Sequence, residues 1–262
     1  MMSVAVSFRM ISTNLDRQLE ITANRGSVKL ESEYYLENYR KVTSIDDFLK
    51  DTRLFTTAMK AFGLEDMAFA KGYMRKILEE GMTDPLSLGN RTSDPRIKEF
   101  ARAFDFETFG DLTMTRKVTG QEVVDKFVRQ QLEVEAGQLD GEGVRLALYF
   151  ERMAGEVNNA YDILADKALT KVVRTALGLP SAFSAADIDK QAAVLETRLK
   201  DVDFSDPEAL SRFLTRFTAL WDATESVSRD PILTLFAVGG SSQATLSLDL
   251  AMSVSSFRLG GA

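Results

Sequence analysis

The chain contains neither cysteine nor histidine among its 262 residues. Without cysteine there is no disulfide and no thiolate chemistry. Without histidine the commonest general base, the commonest metal ligand and the one side chain that titrates near neutrality are missing. Zinc centres, Ser-His-Asp triads and Cys-His dyads are excluded on those grounds. Catalysis would have to rest on carboxylates, lysine, tyrosine or a bound cofactor. Proline is scarce, at 5 residues, which with the short glycine-marked turns argues against a long flexible linker. Long apolar runs are lacking too, since stretches such as Leu235 to Val238 are far too short to span a bilayer. Positive charge is in deficit: 32 Lys and Arg face 39 Asp and Glu, for a net charge of -7. That balance argues against nucleic acid or anionic lipid as a partner, because both need a cationic surface. The opening Met1-Met2-Ser3-Val4-Ala5-Val6-Ser7-Phe8-Arg9 lacks the basic region and long apolar core of a Sec-type signal peptide. The expectation is a cytoplasmic protein without membrane insertion.

What is present begins with repetition. Tyr34, Val42, Asp47, Leu49, Asp51, Leu54, Ala61, Gly63 and Leu64 recur as Tyr149, Val157, Asp162, Leu164, Asp166, Leu169, Ala176, Gly178 and Leu179. The offset is about 115 residues, and about nine identities in roughly 31 aligned positions far exceed the two or so expected by chance. Further on, Ser93-Asp94-Pro95 before Phe100 and Phe104 is echoed by Ser205-Asp206-Pro207 before Phe213 and Phe217. Two fused copies of a helical unit are the expected architecture. The divisions are an N-terminal segment and helix over 1–33, a first repeat over 34–125, a second over 126–225 and a C-terminal tail over 226–262. Glycines 110, 120, 137, 141 and 143 cluster where the first unit gives way to the second.

Helical signals dominate. Residues 14–36 carry a helical apolar pattern that Gly26 interrupts. Ser44 with Asp47 reads as a capping box, opening a helix that continues past Asp51 to Gly63, the position of a left-handed C-cap. A helix is expected over 65–80. Asp84-Pro85 and Asp94-Pro95 each read as an acidic N-cap followed by proline at the first helical position. Thr119 with Glu122 reads as another capping box, residues 142–154 as a helix, Ser184 with Asp187 as a further helix start, and Pro207 to Trp221 as a strongly amphipathic helix. The two ends differ. Val4, Val6, Phe8 and Met10, and Leu246, Leu248, Leu250, Met252 and Val254, alternate with period two, as strands do. Such segments pair with each other, extend helices, or dock onto another chain.

Candidate chemistry is thin. Asp46 and Asp47 fit a helix start, and Glu79-Glu80 a solvated helix end. Asp51 and Asp166, repeated inside the duplicated segment, fit a buried cap or an ion pair to Arg53 or Lys167. Gly239-Gly240-Ser241-Ser242 is followed by no lysine, and neither a G-x-G-x-x-G nor a Walker motif is present, so nucleotide binding is unsupported. The recurrent Phe and Tyr, with Met59, Met67 and Met74, stand at helical spacing and are read as core. No catalytic, cofactor-binding or metal-ligating residue is assigned. The residues assigned to partner contact are Phe8, Arg9, Leu246, Leu248, Phe257 and Arg258.

Six blocks in order resemble a bacterial family known as domain of unknown function 1217. They are Tyr34 to Asn38, Val42 to Leu49, Ala58 to Asp66, Arg145 to Arg152, Ala160 to Lys167 and Ala186 to Ala192. Together they run through nearly the whole chain. The resemblance implies an all-helical fold and an association with flagellar genes, in whose neighbourhood some members have been labelled rod proteins. It implies no activity and no functional residue. The resulting expectation is a non-enzymatic, all-α, multihelical protein acting through protein–protein contacts, with a protein partner, flagellar by resemblance, and compatible with a homo-oligomer. Two other readings stay open: an exported structural component, or a carboxylate-dependent enzyme or small-molecule sensor with a pocket between the repeats.

Overall fold

The computed structural model describes residues 2–229, with side chains through Thr224. Leu246, Leu248, Phe257 and Arg258 therefore lie outside the described residues, as does the alternating segment around them. The described residues through Trp221 form one compact unit, and those from Asp222 on fall in a second. The first is all-helical, with no strand among the described residues. No helix among them is long and apolar enough to cross a membrane.

The N-terminal segment is a helix, α1 (Val4–Ser12), rather than the strand its alternation suggests. Ser3 accepts from the Val6 amide and caps it. Val4, Ser7 and Phe8 then face inward at helical spacing, a pattern that four alternating residues cannot distinguish from period two. Residues 14–36 divide into α2 (Leu15–Ala23) and α3 (Gly26–Asn38). α4 (Ile45–Lys50) is capped by Ser44, whose hydroxyl accepts from the Asp47 amide. The Asp47 carboxylate reaches back to the Thr43 amide instead of closing a box on Ser44. At Asp51 the chain breaks and restarts as α5 (Thr52–Ala61), with the Asp51 carboxylate accepting from the Leu54 amide.

The expected helix over 65–80 shortens to α6 (Lys71–Glu80), preceded by a single tight turn over Glu65–Met67. Asp84-Pro85 makes a turn, and α7 (Leu88–Arg91) starts later, on Ser87. Asp94 does cap α8 (Pro95–Ala103), with proline at its first position. α9 (Phe106–Phe109) is a single turn. The box expected at Thr119 is absent: its hydroxyl bonds the Thr113 and Arg116 carbonyls, and α10 (Gln121–Asp140) starts on Gly120 without a side-chain cap. Next come α11 (Glu142–Met153), α12 (Ala160–Ala165), α13 (Lys167–Ala176) and α14 (Ile188–Leu199), the last capped by Asp187 itself rather than by Ser184. α15 (Pro207–Arg229) completes the described chain.

Two hydrophobic cores result. The first gathers α3, α4, α5, α6, α8 and the front of α10 around Phe48, whose ring centroid lies 4.8 Å from Phe104 and 5.5 Å from Phe55. Each aromatic pair of this kind adds about 0.5–1.5 kcal/mol beyond area burial. The second gathers α11 to α15 around Phe150, 5.2 Å from Phe204 and 5.4 Å from Phe213. α1 closes it with Val4 and Phe8. α10 serves both: Val123, Val124, Phe127 and Val128 belong to the first core and Ala136 to the second. The passage from one to the other thus falls inside a continuous helix. Gly137, in that helix, is covered by the stem of Arg145: a Cβ there would lie 3.0 Å from the Arg145 Cβ.

Candidate functional site: a polar cleft between the two cores

Where α10 leaves the first core and α11 enters the second, a cleft of about 570 Å³ remains open. The first core supplies Gly63, Asp66, Asp94 and Arg96, α10 supplies Gln130, and α11 to α13 supply Glu142, Arg145, Tyr149, Asp166 and Lys167. Helix ends fix most of these positions. α5 stops at Gly63, whose φ of 69° suits a left-handed C-cap, and the Leu64 amide turns back to the Met59 carbonyl at 2.8 Å. The half-buried Gly63 carbonyl accepts from Arg96 Nη1 at 2.6 Å. Arg96 also grips the Asp94 carboxylate through Nε at 3.1 Å and Nη2 at 2.8 Å. Burial works against the charged guanidinium, but the hydrogen bonds and charge of Asp94 outweigh it and raise the Arg96 pKa.

On the opposite wall Asp166 caps α13. One carboxylate oxygen accepts from the Ala168 and Leu169 amides, at 2.7 and 3.1 Å. The other accepts from the Tyr149 hydroxyl at 2.5 Å. Burial, then the neighbouring Asp166 charge, raises the Tyr149 pKa far above the ordinary phenol value. Tyr149 is therefore a held proton donor and not a base. Asp51 does the same at α5, accepting from the Leu54 amide at 3.0 Å and the Tyr34 hydroxyl at 2.9 Å, but on an open surface hollow. Neither aspartate makes the ion pair its sequence neighbours suggested: Arg53 binds Glu31 at 2.9 Å, and Lys167 takes no carboxylate among the described residues. Asp46 pairs with Arg75 at 2.6 Å, and Glu80 accepts from the Leu88 amide at 2.7 Å.

Behind the cleft lies an ionic network that the sequence pattern did not announce. Glu133, 1% exposed in its side chain, receives Arg129 Nε at 3.1 Å and Arg152 Nε at 2.8 Å. Arg129 also reaches Glu151 at 3.1 Å, and Glu151 accepts from Ser12 of α1 at 2.5 Å. Arg129 and Glu133 stand four apart on α10, which on an isolated helix reads as a solvated pair. Only the arrival of α11 buries them. Among the described residues, no group of three or more carboxylates is arranged to hold a metal.

Phe8, assigned to partner contact from its alternating pattern, is a core residue at 8% exposure, because the helix turns it inward with Val4. Arg9 stays on the exposed side. The exposed apolar residues of this segment are Met2, Val6 and Met10, at 53%, 48% and 54%. Val6 and Met10, four apart, share one exposed side of α1, and Met2 precedes the helix, ahead of its Ser3 cap.

Fold and cleft together define an all-helical protein with two cores sharing one helix and a polar cleft where they meet. A family model described as "Protein of unknown function (DUF1217)" matches residues 61–210, and the chain belongs to that family. It is similar to a protein from Agrobacterium tumefaciens whose crystal structure was determined as a structural-genomics target. The identity is 42%, covering 85% of this chain and 96% of that chain, with a TM-score of 0.77. No curated protein matches.

Proposed function

We propose that this is a non-enzymatic helical protein, built from two copies of one unit, that works by binding another protein through α1. The exposed apolar side chains of Val6 and Met10 on α1, with Met2 just before it, carry the reading. A helix that buries one side and keeps large apolar side chains exposed on the other presents a ridge for a second amphipathic helix. The duplication is supported by local geometry. The bonds of Tyr34, Asp51 and Leu54 recur at Tyr149, Asp166 and Leu169. The reversal of Leu64 onto Met59 recurs as Leu179 onto Arg174, at 2.9 Å. The family resemblance makes flagellar assembly the proposed setting, on its cytoplasmic side.

A photo-crosslinking side chain at Met10 of the full chain, activated in the native host, tests this. The expected adduct joins α1 to an apolar-faced helix of one other protein and disappears in Val6→Glu. That variant should melt within about 0.5 kcal/mol of the wild type, as surface changes do. No adduct, or one indifferent to Val6→Glu, counts against the reading. An adduct between two copies of the chain replaces the foreign partner by self-association.

A further inference from the structure

We infer that the cleft between the cores binds a small anion, a carboxylate or a phosphate, through Arg145 and Lys167. This stands apart from the α1 reading and does not depend on it. The acids that line the cleft are already engaged. Asp94 holds Arg96 in two hydrogen bonds, and Asp66 lies 3.8 Å from the same guanidinium. Glu142 pairs with Lys171 at 2.8 Å. Asp166 is shared between two backbone amides and the Tyr149 hydroxyl. Arg145 and Lys167, from two different helices, line the same cleft and make no ion pair among the described residues. Four acids and three cations line the cleft, and Arg145 and Lys167 are the two cations there that no carboxylate holds.

Two further features suit an anion. Arg145 is held by its stem against Gly137, where a side chain would collide at 3.0 Å, so less of its freedom is lost on binding. The Gln130 amide oxygen accepts from Arg152 Nη2 at 3.1 Å, and its Nε2, on the cleft wall, remains to donate. The ligand meets two cations and a neutral donor, the complement of a planar carboxylate or a phosphate. A volume of about 570 Å³ lies within the range of small-ligand sites, about 300–1,000 Å³.

Calorimetric titration of the full chain with inorganic phosphate, and separately with succinate, both against sodium chloride of matched ionic strength, tests the inference. One equivalent of at least one anion should bind. Phosphate alone points to a phosphorylated ligand, succinate alone to a carboxylic acid, and both to a site that reads charge. Arg145→Gln and Lys167→Gln, on exposed side chains, should each weaken binding about tenfold, the effect of losing one charge-assisted hydrogen bond of about 1.5 kcal/mol. Lys200→Gln, outside the cleft, should not. Absence of binding by either anion, or equal affinity in the Arg145 and Lys167 variants, overturns the site.

Discussion

Asp51 and Asp166 each divide their two carboxylate oxygens between a helix N-terminus and a tyrosine hydroxyl. The pair at Asp166 is the more deeply set, with Asp166 only 8% exposed. Asp166→Ala removes the cap and strands the Tyr149 hydroxyl, so it should cost about 1–3 kcal/mol in urea unfolding. Asp51→Ala, at a wetter site, should cost less. The tyrosines also set an alkaline limit. Burial raises the Tyr149 pKa above the ordinary 10.0, and Tyr35, buried and bonded to the Thr119 carbonyl, shifts the same way. Below pH 10 both states keep these protons and nothing changes. Above it the unfolded chain loses protons that the folded chain retains, so stability falls as pH rises. Tyr149→Phe should flatten that decline between pH 10 and 11.5, read from melting curves, and a slope equal to wild type would contradict the assignment. The sequence shows that Asp51 and Asp166 repeat and that a cap suits them. It cannot show that Tyr149 bonds Asp166, because seventeen residues and a chain reversal separate them.

Elements join through glycines whose roles differ. At the start of α11, Gly143 lies under Trp221, and a Cβ there would stand 2.6 Å from the indole. Gly143→Ala should overpack this contact and cost about 1–3 kcal/mol. Gly72, early in α6, has nothing within 4 Å of an added Cβ and ordinary helical φ. Gly72→Ala should stabilise by about 0.5–1 kcal/mol, from helix propensity alone. Paired urea curves check the opposite signs, and two shifts of the same sign would refute the packing at Trp221. Element existence was largely legible from caps and periodicity: α8, α11 and the start of α15 stand where their apolar spacing and punctuation put them, while the one helix expected from Ser44 to Gly63 splits at Asp51 into α4 and α5. Failures came where a signal was local and tertiary context decided. α1 carries period two and helical spacing at once, and only the core beneath Val4 and Phe8 selects the helix. Gly137 stands among the glycines that mark the change of unit, yet it lies inside α10, under the Arg145 stem.

Across the whole first unit, α10 and the charges it carries tie the two cores together. Glu133 binds Arg129 on its own helix and Arg152 on α11, and Glu151 extends the chain of contacts to Ser12 of α1. A pocket between the repeats was open as a reading of the sequence, but neither the residues that line the cleft nor this network was legible there, since each needs α10 and α11 side by side before its charges meet. The arrangement predicts joint unfolding. Trp221, the single tryptophan, reports the second core, while Tyr35 and Tyr39 belong to the first. Tryptophan fluorescence and the tyrosine band of near-ultraviolet circular dichroism should trace one coincident urea transition, because no helix break separates the cores. Glu133→Ala leaves two guanidinium groups facing each other without their shared carboxylate, at a cost of about 3–5 kcal/mol. Both probes should move together by that amount, since α10 contributes to each core. If the tryptophan curve shifts and the tyrosine curve does not, the network belongs to the second core alone, and the cleft loses the rigid back wall that holds Gln130 and Arg145 in place.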